Sequence, residues 1–157
     1  MTIQEIVQQL LSLDMTKQYD YTIKEYKNKR SLNANSYAWC LITKIGNALS
    51  LSKDEVYKQM LRDYGQPKTD SEDNPILVSV KSHINLLKQE DMYCKFVGNG
   101  QIGEEVFNHY MLLRGSSEFD TKEMSIFIDG VVQEAQALEI ETLTPNMLME
   151  MKGSWDE

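Results

Sequence analysis

Apolar residues recur at three- and four-residue spacing in several stretches of the chain, and each such stretch predicts an amphipathic helix. In the first, Ile3, Ile6, Val7, Leu10 and Leu11 fall on one stripe, read as core-facing. In the second, from about Leu32 to Ser50, the stripe is Ala34, Ala38, Leu41, Ile42, Ile45, Ala48 and Leu49. Gly46 sits inside that pattern at a cost of about 1 kcal/mol of helix propensity, so it predicts close approach of another element rather than a helix end. Ser52-Lys-Asp-Glu55 has the capping-box form, hydroxyl first and carboxylate three residues on, and opens a third helix. That helix carries Val56, Tyr57, Met60, Leu61 and Tyr64 on one side and stops at Gly65. Asp120-Thr-Lys-Glu123 repeats the capping form before Met124, Phe127, Ile128, Val131, Ala135 and Leu138, the second long helix. Thr144-Pro145 places a capping hydroxyl before a proline at the first helical position, so a short last helix reaches about Met151.

Period-two alternation marks the strands. Tyr19, Tyr21 and Ile23 alternate with Asp20, Thr22 and Lys24, which predicts a half-buried strand over 19–26. Ile76 to Val80 and Met92 to Val97 also read as strands, the latter ending at a Gly98-Asn-Gly100 turn, with a short helix over 82–89 between them. Glu105 to Arg114 fits strand and helix periodicity equally. Residues 66–75 combine two prolines with small polar and charged residues and predict a flexible loop. No segment repeats at a fixed period. These elements give an α+β fold, with two long and two or three short helices packed on a small, mainly antiparallel sheet, as one domain over 1–157.

A chain of 157 residues buries roughly 70% of its unfolded surface and needs neither a disulfide lattice nor a structural metal. Cys40 and Cys94 form no C-x-x-C and read as free thiols. No apolar run approaches the roughly 18 residues of a membrane span, and Gln and Glu interrupt the amino-terminal stretch where a signal peptide would be continuous. The expectation is a cytoplasmic protein that makes no membrane contact. The formal net charge of −8 would argue against nucleic acid, but it is unevenly placed. Residues 1–114 hold 14 basic and 14 acidic side chains, whereas residues 115–157 hold 2 and 10. A polyanion would therefore bind the first part, and the acidic region over 115–157 would solubilise the chain or meet a partner.

The chain has two histidines and lacks G-x-S-x-G, G-x-x-x-x-G-K-[ST] and H-E-x-x-H, which removes the common hydrolase, nucleotidase and zinc-peptidase templates. Gly98-Asn-Gly100-Gln-Ile-Gly103 mimics a dinucleotide loop but has no strand-helix-strand setting, so it reads as a turn. No cofactor is expected. His83, Asn99 and His109 occur in the order of an HNH nuclease, in which one imidazole activates water and the other helps hold a divalent metal. That arrangement is an alternative catalytic set.

The richer constellation is Lys27-Asn-Lys-Arg-Ser-Leu-Asn-Ala-Asn-Ser-Tyr-Ala-Trp39, from the end of the first strand into the long helix. Lys27, Lys29 and Arg30 can neutralise phosphates, and the free N–H groups of a helix start can receive a phosphate oxygen. Asn33 and Asn35 can donate amide hydrogen bonds, and Tyr26, Tyr37 or Trp39 can stack on a base. Single-stranded nucleic acid needs this combination.

The same residues carry a family resemblance. Val7-Gln-Gln-Leu10, the Thr16-Lys17 turn, Tyr21-Thr-Ile-Lys-Glu25, then Arg30-Ser-Leu-x-x-Asn35 and Trp39-Cys-Leu41 resemble the amino-terminal half of the NinB recombination proteins of phages. The resemblance extends through Ser116-Ser117 and the helix from Asp120 to Leu138, and omits about residues 66–104. From Gly115 to Pro145 the chain is also similar to proteins of phages of Gram-positive bacteria, some labelled HNH nucleases. The NinB resemblance implies a phage-encoded, non-catalytic recombination mediator in the bacterial host cell. It would be a homodimer that binds single-stranded DNA without sequence preference, contacts the host single-strand-binding protein and helps load a recombinase. Arg30, Ser31, Leu32 and Asn35 match the family's motif, Leu32 in a structural role. The family's later turn is basic, whereas Glu118 and Asp120 stand at the comparable positions here. Two alternatives stand beside it, a metal-dependent HNH-like nuclease and a protein-binding adaptor or inhibitor whose acidic tail mimics nucleic acid charge.

Overall fold

A computed structural model describes residues 2–19 and 32–153. The predicted strand over 19–26, the basic turn and Trp155 therefore lie outside the described residues or, for Tyr19, at their edge. The fold is α+β, as the periodicity implies. The five α-helices among the described residues are α1 (Ile3–Leu11), α2 (Leu32–Leu49), α3 (Lys53–Tyr64), α4 (Thr121–Ala137) and α5 (Pro145–Gly153). The three strands among the described residues are β1 (Leu77–Lys81), β2 (Cys94–Ile102) and β3 (Glu105–Leu112), all antiparallel in the order β1-β3-β2.

The local signals account for most helix limits. Ser52 accepts the Glu55 N–H while the Glu55 carboxylate accepts the Ser52 N–H, and Asp120 and Glu123 repeat the arrangement at α4. The Thr144 hydroxyl accepts the Met147 N–H ahead of α5. Between α2 and α3 the chain folds back so tightly that the Leu51 N–H donates to the Gly46 carbonyl at 2.9 Å. A Cβ at Gly46 would lie 2.8 Å from the Leu51 carbonyl oxygen, which is the close approach its position predicts.

Apolar side chains collect in two clusters. The larger joins Ala38, Leu41, Ile42 and Ile45 of α2 with Val56, Tyr57 and Leu61 of α3 and Met124, Phe127, Ile128 and Val131 of α4. Leu148 and Met151 of α5 pack on its margin. The smaller joins Cys94 and Tyr110 of the sheet to Leu86, which lies in a 3-10 turn over Leu86–Lys88. Arg62 ties the two together, donating from α3 to the carbonyls of Cys94 and Leu87.

Several expectations are corrected. None of the α1 residues is buried, and Ile3 and Leu11 are 81% and 78% exposed, so that stripe does not face the core. Ala48 and Leu49 are exposed because α2 ends where α3 turns back. The helix expected over 82–89 shrinks to the single 3-10 turn. Gly98-Asn-Gly100 is no turn: β2 runs through it, with a bulge between Phe96 and Gly98, and the hairpin reverses at Gly103, whose φ of 63° suits glycine. Glu105 to Leu112 is a strand. Apart from those corrections, within 66–75 the Lys68 N–H donates to the Leu112 carbonyl and the Asp70 N–H to the Asn74 carbonyl. Cys40 is exposed and Cys94 buried, neither in a disulfide. No helix among the described residues is long and apolar enough to cross a membrane.

Candidate nucleic-acid interface

Lys27, Lys29, Arg30 and Ser31 lie outside the described residues, and so does the side chain of Asn33. What is described is the helix that follows them in the chain. α2 is an 18-residue helix beginning at Leu32, directly after the basic run, and its first turn contains no acidic residue. Its start therefore carries the positive end of the helix dipole with no carboxylate within its own first turn. Asn35 follows in that first turn and is half-buried.

The next candidates turn inward. The Tyr37 hydroxyl accepts the Leu143 N–H at 2.9 Å and so ties α2 to the segment before α5. Trp39 stacks on Tyr57 with ring centroids 4.5 Å apart and an interplanar angle of 28°. Both rings pack against the helical core, where they brace the helix behind the basic run.

His83, Asn99 and His109 are not brought together. His83 is exposed in the turn after β1. Ser79 faces His109, while Ser82 bonds to Val106, three residues further along and about 10 Å away at the strand rise. His83 lies beyond that level. Asn99 pairs with Asn108, the neighbour of His109, so the two point to opposite faces of the sheet. Among the described residues no group of three or more His, Cys, Asp or Glu side chains could hold a metal ion.

Among the described residues, one face of the sheet is covered by the smaller apolar cluster and the other is open. Val78, Val80, Tyr110 and Leu112 turn toward the smaller apolar cluster. By alternation, Leu77, Ser79 and Lys81 of β1, Phe107, His109 and Met111 of β3 and Lys95 of β2 share the other face. Neither Phe107 nor Met111 belongs to either apolar cluster. On that face His109 Nδ1 lies 2.6 Å from the Ser79 hydroxyl, and the Lys81 ammonium lies 3.1 Å from the Glu105 carboxylate. Residue reading missed this surface because it placed a turn at Gly98-Asn-Gly100. The signal that could have found it is the glycine alternation at 98 and 100 beside a strand whose odd positions are Phe107, His109 and Met111.

Compared with protein-family models, with curated proteins and with solved structures, the chain finds no match in any of the three.

Proposed function

We propose that this chain binds single-stranded DNA without sequence preference and acts as a homodimeric mediator of phage recombination, in contact with the host single-strand-binding protein. The observation that carries the DNA-binding part is the placement of three cations within five residues of the start of α2, a long helix with no acid in its first turn. Lys27, Lys29 and Arg30 neutralise phosphates there, and the helix start adds N–H donors that every phosphate can use alike. Such contacts are indifferent to base identity. The mediator role and the dimer rest on the resemblance of Arg30-Ser-Leu-x-x-Asn35 and Trp39-Cys-Leu41 to the NinB proteins.

The two rival readings make different demands on one experiment. Fluorescence anisotropy is followed with labelled single-stranded and duplex oligonucleotides at low salt, with Mg²⁺ or Mn²⁺ added in parallel. The proposal expects binding that favours the single strand and leaves it intact. Cleavage with either metal would instead favour a nuclease. No binding to either DNA would favour a protein adaptor.

A further inference from the structure

We propose that the open face of the β1-β3-β2 sheet is a stacking platform for the bases of single-stranded DNA, centred on Phe107 and His109. This inference rests on the reading that the chain binds single-stranded DNA, and it assigns the surface that meets the bases.

Phe107 and His109 stand two residues apart on the central strand, so both side chains leave the same face from backbone positions about 7 Å apart. β2 places a glycine opposite each, Gly98 facing His109 and Gly100 facing Phe107. No β2 side chain therefore stands directly opposite either ring, and Ile102 is the next β2 residue on that face. The space is already used by the imidazole itself, because a Cβ on Gly100 would lie 2.9 Å from His109 Nε2. His109 is held from the other side by Ser79, 2.6 Å from Nδ1, so the ring is oriented before any ligand arrives. A ring fixed in advance loses little rotamer freedom when a base stacks on it. Ser79, Gly100, Gln101, Ile102, Phe107 and His109 line a shallow depression of about 240 Å³ at this place.

The charge on the face selects the occupant. Lys81 on β1 and Lys95 on β2 flank the rings from the two outer strands, and Glu105 is the one carboxylate that the register puts among them. Glu105 pairs with Lys81 at 3.1 Å, so among the described residues Lys95 is the cation that leaves this face one positive charge in excess. Aromatic rings on a sheet with lysines at the margins satisfy both needs of a single strand, a surface for exposed base faces and cations for the backbone. Duplex DNA, whose bases are already stacked, gains nothing from the rings.

The test measures anisotropy of a fluorescein-labelled oligo(dT) with the full chain at low salt. Phe107→Leu keeps the apolar bulk and removes the ring, and should weaken binding about 5- to 150-fold, the range for one lost base stack. Phe107→Tyr should restore it. Far-UV circular dichroism checks that the Leu variant folds. Should it not, Lys95→Gln carries the test from an exposed position, with weaker binding and a salt slope reduced by about 0.7 expected. Affinity within twofold of wild type in Phe107→Leu, or an unchanged slope in Lys95→Gln, would overturn the platform. If charge reversal at Lys27, Lys29 and Arg30 still abolished binding in that case, the parent reading would survive alone. Failure of the unaltered chain to bind would remove both.

Discussion

The Tyr57 hydroxyl accepts the backbone N–H of Ser116 at 2.8 Å and lies 2.9 Å from the Ser116 hydroxyl, joining the middle of α3 to the segment before α4. The same ring carries Trp39 on its face and meets Tyr93 and Phe127 edge-on at 5.5 and 6.2 Å. One phenol thus organises the contact of α2, α3 and α4. Tyr57→Phe keeps every ring contact but leaves a buried N–H without its acceptor, which costs about 1–3 kcal/mol. Urea unfolding should show that loss, and a change below about 0.5 kcal/mol would mean that another group satisfies Ser116.

Acid should loosen the start of α4. The Asp120 carboxyl is held below its usual range first by the Glu123 N–H, with the Arg114 guanidinium a smaller contributor. A carboxylate whose pKa falls on folding contributes stability above its unfolded value, and the contribution is lost as pH drops through the folded value. Stability should therefore decline as pH falls below about 4. Asp120→Ala should remove about 1 kcal/mol at neutral pH and flatten the decline, as read from denaturation midpoints at several pH values.

At the alkaline end the group to watch is Tyr64. Its hydroxyl donates to the Glu134 carboxylate at 2.7 Å, and that bond, with burial and the nearby negative charge adding to it, raises its pKa to about 12. A raised folded value means that the stabilisation is complete below about pH 10 and is lost as pH climbs toward 12. Ultraviolet titration should show a late tyrosinate component that vanishes in Tyr64→Phe. A component that persists in the variant would assign it to another tyrosine.

Helix α1 supplies the opposite case, in which apolar residues contribute little to this fold. Ile3 and Leu11 are 81% and 78% exposed. Replacing either with Gln should change the unfolding free energy by no more than about 0.5 kcal/mol. A loss of several kcal/mol in a denaturant titration would mean that this stripe is buried in solution.

The contrast between α1 and α4 explains what was legible in the sequence. Both have regular apolar spacing, which fixes the helix and the direction of its stripe but says nothing of whether another element lies there to cover it. For α4, Met124, Phe127, Ile128, Val131 and Ala135 meet α2 and α3; for α1, the same pattern meets no comparable partner among the described residues. The sheet failed differently. Gly98 and Gly100 are strong turn residues, yet hairpin pairing with β3 outweighs that local preference and the reversal moves to Gly103. That displacement concealed the face that carries Phe107 and His109. His83, Asn99 and His109 illustrate the limit of spacing in a chain, because Asn99 and His109 sit close in the sheet and point away from each other. Tyr37 and Trp39 show why an aromatic beside a basic run is ambiguous, since each is satisfied within its own chain.

The central claim is that cations before α2 hold a single-stranded backbone, and the salt dependence of affinity tests it most directly. Association constants for oligo(dT) are measured over a salt series for the unaltered chain and for a variant with Lys27, Lys29 and Arg30 each changed to Glu. If the three side chains each meet a phosphate, the slope of log K against log salt should fall in magnitude by about 2, at roughly 0.7 per contact, while the circular dichroism spectrum stays unchanged. Equal affinities and parallel salt lines for the two proteins would contradict the account.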